Sequence, residues 1–252
     1  MGAAACVLAV PYIAALLDVG LQAASARTHL SVPVLLVLSV AQSIGLLGVA
    51  VFAGQWAAWK LGLGAPLIAM LVLKQPWPPQ APRLLLSCVV IGVVIGLALA
   101  ALDHWGFRQF GSVAELSARA DTAGLGPLAW QGFLASFYGG IAEEILMRLG
   151  LLSLLALSLG TLTRLVRGNA DRTLPNGVFW AANILVALVF GLGHLPATAA
   201  IMPLTPELVA RALVLNGIPG LVFGVLYRDN GLERAMLAHF STDIVLHGFL
   251  LG

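Results

Sequence analysis

Long runs of apolar residues dominate the chain and set its predicted architecture. Seven runs reach the ~20 residues that an α-helix needs to cross a bilayer. An eighth, residues 56–73, is weaker because it contains Lys60 and two glycines, and the sequence is compatible with either a short span or a re-entrant piece. No alternation of apolar and polar positions competes with this pattern, so the sequence predicts an all-α, polytopic membrane helical bundle of about eight transmembrane segments. The seven clearer runs cover residues 3–24, 31–54, 84–102, 127–159, 178–202, 208–227 and 235–251.

The composition indicates one integral membrane domain. Charged residues make up 10% of the 252 residues, hydrophobic residues make up 60%, and the mean hydropathy is +0.98. A soluble globular domain carries about 25% charged residues, and the loops here are too short for a second folded domain. We therefore expect a single domain over residues 1–252, with the lipid bilayer as its surroundings. The net charge of +2 is spread over short loops, which argues against a nucleic-acid partner.

Lysine and arginine are unequally divided between the two predicted sides of the bundle. If all eight segments span, the loops with more of these residues face the cytoplasm and both termini lie outside. The poorer set of loops and span edges contains Lys60, Arg108, Arg119 and Arg211. The richer set contains Arg27, Lys74, Arg83, Arg164, Arg167, Arg172, Arg228 and Arg234.

The most unusual feature is a charged hexapeptide inside the apolar run 127–159. It places Glu143, Glu144 and Arg148 in a predicted membrane span, where each charge costs about 2.5–3.5 kcal/mol on insertion scales. Residues four apart share a helix face, whereas neighbours diverge by about 100°. Glu144 and Arg148 can therefore pair, and Glu143 is expected to point elsewhere without a partner in its own helix. A structural staple between helices explains the pair but leaves the second glutamate unexplained.

Two further polar groups lie in other apolar runs. Phe190 and His194 lie four residues apart in one run, and His239 and Asp243 lie one turn apart in the last run. A carboxylate pair and two histidines are the side chains that activate a water molecule, with or without a metal. Counted from the segment ends, however, the two histidines are expected at depths that differ by about 8–12 Å of helix rise.

These three groups resemble the motifs of the CAAX-protease and bacteriocin-processing family of intramembrane peptidases. The motifs are Glu-Glu-x-x-x-Arg, Phe-x-x-x-His and His-x-x-x-Asn or Asp, and they occur here in the family's order. The resemblance covers roughly residues 127–252, the expected catalytic core, and the first half of the chain supplies generic spans. It implies a membrane-embedded endopeptidase that acts on a peptide or membrane-protein substrate. Relatives cleave near the C-terminus of prenylated proteins or act on small peptides.

The resemblance also implies roles for individual residues. Glu143 would be the general base, His194 would help to hold the attacking water, and His239 would donate to the developing oxyanion. Glu144 would be fixed by Arg148. No cofactor is firmly implied. The family has been described both as metal-independent glutamate proteases and as metalloproteases, and Glu143, His194 and His239 would form a two-His, one-carboxylate set that suits a divalent metal such as zinc.

Asp243 departs from the asparagine that many relatives carry. An asparagine amide can donate to an oxyanion, whereas an ionised aspartate only accepts. Asp243 is therefore expected to be a neutral donor, to orient His239 by accepting from its ring, or to engage His247 one turn further along.

Two alternatives to proteolysis remain open from the sequence. A family member without peptidase activity could serve as a membrane scaffold or immunity factor. Intramembrane glutamate and histidine also mark transporters and proton relays, although no inverted repeat supports that reading. The arginine- and alanine-rich composition favours a bacterial source, and hence the inner membrane. A bacterial source would in turn argue against a prenylated substrate.

Overall fold

The computed structural model describes residues 1–16, 18–122, 129–167 and 173–249, and these residues form helices without any β-strand. The all-α prediction is therefore confirmed. The start of the predicted run 127–159 and the end of the run 235–251 lie outside the described residues. The α-helices are α1 Gly2–Leu8, α2 Val10–Leu16, α3 Asp18–Thr28, α4 Val32–Leu61, α5 Pro66–Val72, α6 Ala81–Leu102, α7 Gly111–Thr122, α8 Ala129–Phe137, α9 Ser153–Arg167, α10 Asn176–Gly193, α11 Leu195–Ile201, α12 Pro206–Asn230 and α13 Leu232–Asp243.

Five helical stretches in the described part of the chain are long and apolar enough to cross a membrane. A sixth is reached if the bent pair Gly2–Ala15 and Gly20–Thr28 counts as one span. The polytopic membrane bundle is thus confirmed, whereas the number eight is not. The five stretches are Val32–Leu61, Ala81–Phe107, Ala129–Val166, Asn176–Ile201 and Pro206–Asn230.

The weaker run 56–73 does not form a span of its own. Its first part simply continues α4 to Leu61, where Gly62 adopts a left-handed backbone with φ of 70°, a conformation that glycine adopts without steric cost. Pro66 then begins α5, which has only seven residues. We call residues 62–73 the α5 arm. Because this arm does not cross the bundle, Arg27 lies at the opposite end from Lys74. The assignment of both residues to one side held only if all eight segments span.

The remaining basic loops share one end of the bundle. Between the loop before α6 and the loop after α9 the chain crosses the bundle twice, so both loops lie at the same end. It crosses twice more, in α10 and α12, before it reaches the turn between α12 and α13. That turn therefore lies at this end as well. This basic end carries Lys74, Arg83, Arg164, Arg228 and Arg234.

At the centre of the bundle, α13 packs between α6 and α12. On one side, a Cβ at Gly92 of α6 would collide with the carbonyl oxygen of Ala238, so the two backbones are in direct contact, as small residues permit between membrane helices. On the other side, Phe223 of α12 is fully buried against α13. By contrast, α4 presents large apolar side chains outward, and Phe52 is 85% exposed. This outer surface is suited to lipid, whereas α13 is placed in the centre with its polar residues.

Within the described residues, four helical segments have π geometry instead of α geometry. Each is continuous with an α-helix at one or both ends, and two of them carry the charged hexapeptide. Hydrogen bonds from residue i to i+5 put more residues in each turn, so neighbouring side chains diverge less than in an α-helix. The segments are π1 Asp103–Phe107, π2 Tyr138–Glu143, π3 Ile145–Leu152 and π4 Ile244–Phe249.

Candidate active site

Glu144 and Arg148 form a completely buried ion pair, as their spacing predicts. Arg148 Nε lies 3.2 Å from Glu144 Oε2, and the two side chains are 1% and 0% exposed. The geometry is that of an ion pair rather than of an aligned hydrogen bond, since neither atom has a hydrogen-bond partner. Arg148 also donates from Nη2 to the carbonyl oxygen of Gly220 at 3.1 Å. The pair therefore connects the hexapeptide helix to α12.

The other carboxylate oxygen of Glu144 connects the first motif to the third. Glu144 Oε1 lies 2.8 Å from His239 Nδ1. Because a carboxylate accepts, this contact assigns the Nδ1 proton to His239 and aims Nε2 away from Glu144. A charged arginine, a carboxylate and an imidazole thus form one connected chain, in which Arg148 holds Glu144 and Glu144 holds His239.

Two more accessible carboxylates face the other nitrogen of this ring. Glu143 Oε2 lies 3.9 Å from His239 Nε2, and Asp243 Oδ1 lies 3.6 Å from the same atom. Their side chains are 22% and 14% exposed. Both separations exceed a direct hydrogen bond and suit a bridging polar group. Glu143 and Glu144 are adjacent in sequence, yet both approach one imidazole.

This convergence differs from the prediction that Glu143 points elsewhere. Glu143 does lack a partner in its own helix, as expected, but its side chain turns to the same ring as Glu144. The residue ends π2, and π3 begins two positions later. The smaller angle between neighbours in π geometry gives a physical reason for the difference.

Two phenylalanines enclose the buried part of the site. The Phe223 ring stacks on His239 with centroids 4.7 Å apart and an interplanar angle of 22°. Phe190 meets the same imidazole edge-on at 5.8 Å. The guanidinium carbon of Arg148 lies 5.3 Å from the Phe190 centroid and 5.7 Å from the Phe223 centroid, within the range of cation–π attraction. Phe223 could not be identified from sequence, because one aromatic residue in an apolar helix carries no distinguishing signal.

His194 contacts the Phe190 ring, which also meets His239. The rings of His194 and Phe190 are 4.9 Å apart and nearly perpendicular. His194 Nδ1 lies 2.8 Å from the Phe190 carbonyl oxygen, and since a carbonyl only accepts, Nδ1 carries the proton and Nε2 is available as an acceptor. His194 makes no ion pair or hydrogen bond with Glu143 among the described residues. Both histidines nevertheless contact the same Phe190 ring, so the expected difference in depth does not separate them.

Asp243 lies against the backbone at Gly139, and the neighbouring His247 contacts Tyr12 instead of Asp243. A Cβ at Gly139 would collide with Asp243 Oδ2 and would lie 3.3 Å from His239 Nε2, so the π2 backbone passes directly over the carboxylate. His247 does not engage Asp243 in the described contacts. It lies 3.5 Å from the Tyr12 hydroxyl through Nδ1. Tyr12 comes from the generic first half of the chain and was not identified from sequence.

The geometry does not assemble a metal centre from the predicted ligands. Within the described ranges, no three His, Cys, Asp or Glu side chains are grouped so that they could hold a metal ion. Metal assistance through Glu143, His194 and His239 stays an untested prediction.

Comparison with known proteins supports the three motifs. The family described as type II CAAX prenyl endopeptidase Rce1-like matches residues 125–245, a region that contains all six predicted site residues. No curated protein and no solved structure gave a significant match. The family is a protease family, so the resemblance that the motifs predict is confirmed at that level. Over residues 125–245, this multi-pass membrane protein is therefore similar to the type II CAAX prenyl endopeptidases of the Rce1-like family.

Proposed function

We propose that the chain is an intramembrane endopeptidase in which Glu143 activates water for attack on a peptide bond. The observation that carries the proposal is the position of His239 between two unlike glutamates. Glu144 is fully buried, ion-paired and bonded to Nδ1, whereas Glu143 is partly exposed and faces Nε2. One glutamate is thus suited to hold the imidazole and the other to accept a proton.

The proposed reaction uses side chains only. Glu143 accepts a proton from a water molecule, and the resulting hydroxide adds to the carbonyl carbon of the substrate. His239, protonated on both nitrogens, donates from Nε2 to the oxyanion. When the tetrahedral intermediate collapses, the C–N bond breaks and Glu143 returns its proton to the leaving amine. His194 would accept from the attacking water through Nε2.

Asp243 is proposed as a neutral donor beside His239. Glu144 Oε1 already contacts Nδ1 of the His239 ring at 2.8 Å, so Glu144, and not Asp243, orients this ring. Asp243 lies at the opposite nitrogen, 3.6 Å away. A protonated carboxyl there can donate to the same oxyanion, as the asparagine amide of relatives could.

The proposed substrate is a peptide segment of a membrane-associated protein, and the proposed location is the inner membrane of a bacterium. The family description concerns prenyl endopeptidases, so recognition of a prenyl group is tested apart from cleavage. It is addressed by offering purified protein matched peptides with and without a C-terminal farnesyl thioether.

The decisive experiment compares the wild-type chain with Glu143→Gln. Gln keeps the size of the side chain but cannot accept the proton, so we expect cleavage to fall by at least about a hundredfold while insertion and thermal stability are unchanged. Proteomics of membrane fractions from cells with the two variants would identify peptides that accumulate only with the wild type. Near-wild-type turnover by purified Glu143→Gln would refute the assignment. Absence of cleavage by either protein would favour the non-proteolytic alternative.

A further inference from the structure

A second polar region lies at the basic end of the bundle and takes no part in the proposed chemistry. It is a cavity of about 690 Å³, bounded by the end of α4, the α5 arm and the turn between α12 and α13. This volume lies within the range of small-molecule sites, about 300–1,000 Å³.

The α5 arm is tied to the α12–α13 turn by polar contacts, so this wall of the cavity is held in place. Leu232 donates its backbone N–H to the carbonyl of Gly64 at 2.9 Å. The Ile68 backbone N–H donates to Glu233 Oε1 at 2.6 Å. Glu233 is absent from the cavity lining, whereas Arg234, the next residue, lines it.

The two arginines that line the cavity differ in how many of their guanidinium nitrogens donate hydrogen bonds. Arg228 is fully engaged: Nε and Nη2 bind Asp229 at 2.6 and 3.2 Å, and Nη1 binds Asn176 at 3.3 Å. Arg234 uses only Nη1, which donates to the carbonyl and side-chain oxygens of Asn230 at 3.0 and 3.1 Å. Its Nε is buried without a hydrogen-bond partner, and the contacts of the described residues give none to its Nη2. A guanidinium with two unused donor nitrogens is an incomplete anion-binding group.

Apolar surface continues from this cation towards the membrane. Val72 and Leu73 of the α5 arm line the cavity and are 72% and 65% exposed. The basic end is the one that the positive-inside rule assigns to the cytoplasmic leaflet, where anionic lipids concentrate. Basic pockets between membrane helices at this level bind lipid headgroups.

We propose that this cavity binds the phosphate headgroup of an anionic phospholipid, with Arg234 as its ligand and the exposed side of the α5 arm along the acyl chains. The site is separate from the His239 cluster, so its occupancy does not depend on the proposed proteolysis.

The test measures lipid retention by native mass spectrometry. Wild-type protein purified in a non-ionic detergent is titrated with phosphatidylglycerol, phosphatidylcholine or inorganic phosphate. We expect one phosphatidylglycerol per chain at concentrations where phosphatidylcholine is not retained. Arg234→Gln should weaken that retention about tenfold or more, the effect of losing a charge-assisted contact.

Two variants separate the site from general surface charge and from misfolding. Arg83→Gln removes an exposed arginine at the same end but outside the cavity lining, and it should retain the lipid like the wild type. Ala69→Phe keeps every charge but fills the cavity from the exposed side of α5, and it should lose the lipid even if Arg234→Gln does not fold. Equal retention of the two lipids, or undiminished retention in Ala69→Phe, would overturn the proposal. Stabilisation by inorganic phosphate alone at millimolar concentration would identify a phosphate site instead of a lipid site.

Discussion

The ion pair of Glu144 and Arg148 should be worth far more to stability than a shorter ion pair on the surface of the same chain. Both Glu144–Arg148 and Glu115–Arg119 have i,i+4 spacing, but the surface pair is closer, 2.6 Å against 3.2 Å, and about half exposed. Distance alone would rank the surface pair as stronger. Burial predicts the reverse, because a charge left alone in the interior cannot be solvated by water.

The magnitudes follow from the contacts. Glu144→Gln retains an amide oxygen for His239, and Arg148→Met retains most of the side-chain volume, so each variant mainly strands the other charge. Stranding a buried charge costs about 3–5 kcal/mol of unfolding free energy. The double variant removes both charges and should cost much less than the sum of the two, with a coupling energy of about 2–3 kcal/mol. The same cycle at Glu115 and Arg119 should give about 0.3–0.5 kcal/mol.

The assay is equilibrium unfolding of purified protein in mixed micelles, followed by helical circular dichroism, for all variants of both cycles. The surface cycle controls for the loss of charge and for the effect of the i,i+4 spacing. A buried coupling energy no larger than the surface one would refute the reasoning, as would additive effects at Glu144 and Arg148.

Three further predictions concern the site. Asp243→Asn should keep substantial cleavage activity and Asp243→Ala should not, because asparagine can still donate; equal loss in both across the pH range, with folding intact, would exclude the neutral-donor role. Gly139→Ala should lower turnover at least about tenfold, because the added Cβ would push Asp243 away from His239. Gly48→Ala is the control and should leave activity unchanged, since a Cβ there meets nothing within 4 Å. Equal activity of the two variants would contradict the close approach of Gly139 to Asp243. Active purified protein should contain no stoichiometric zinc by elemental analysis and should tolerate a chelator; one zinc per chain, with chelator loss and zinc rescue, would require a metal-assisted mechanism.

Much of the membrane architecture was predictable because bilayer thickness acts on sequence directly. An apolar run of sufficient length identifies a span whatever lies beside it, and this held for α4, α6, α10 and α12. The weaker run 56–73 does not span for a local reason, since Gly62 ends one helix and Pro66 starts a short one. A hydropathy average over that region does not detect the turn.

The contacts of the candidate site also fall into some that the sequence predicts and others that it does not. The contact between Glu144 and Arg148 depends on helix periodicity, a local property, so the sequence alone determined it. The contact of Glu144 with His239, 95 residues apart, was not predicted, because the sequence indicated only that carboxylates and histidines from different spans act together. The approach of Glu143 to the same ring depends on π geometry, which is set by tertiary packing and not by the spacing of residues.

What the sequence by itself determined is therefore the class of the molecule, the apolar helices and the polar residues placed within them. The tertiary structure decided which nitrogen of His239 each carboxylate faces, which aromatic ring stacks on it, and that Arg234 borders a cavity while Arg228 is already paired. The physical reason is that hydrophobicity and helical period are encoded residue by residue along one segment. The direction of a side chain towards another helix depends on crossing angles and backbone contacts, such as that of Gly92 with Ala238, which several segments determine together.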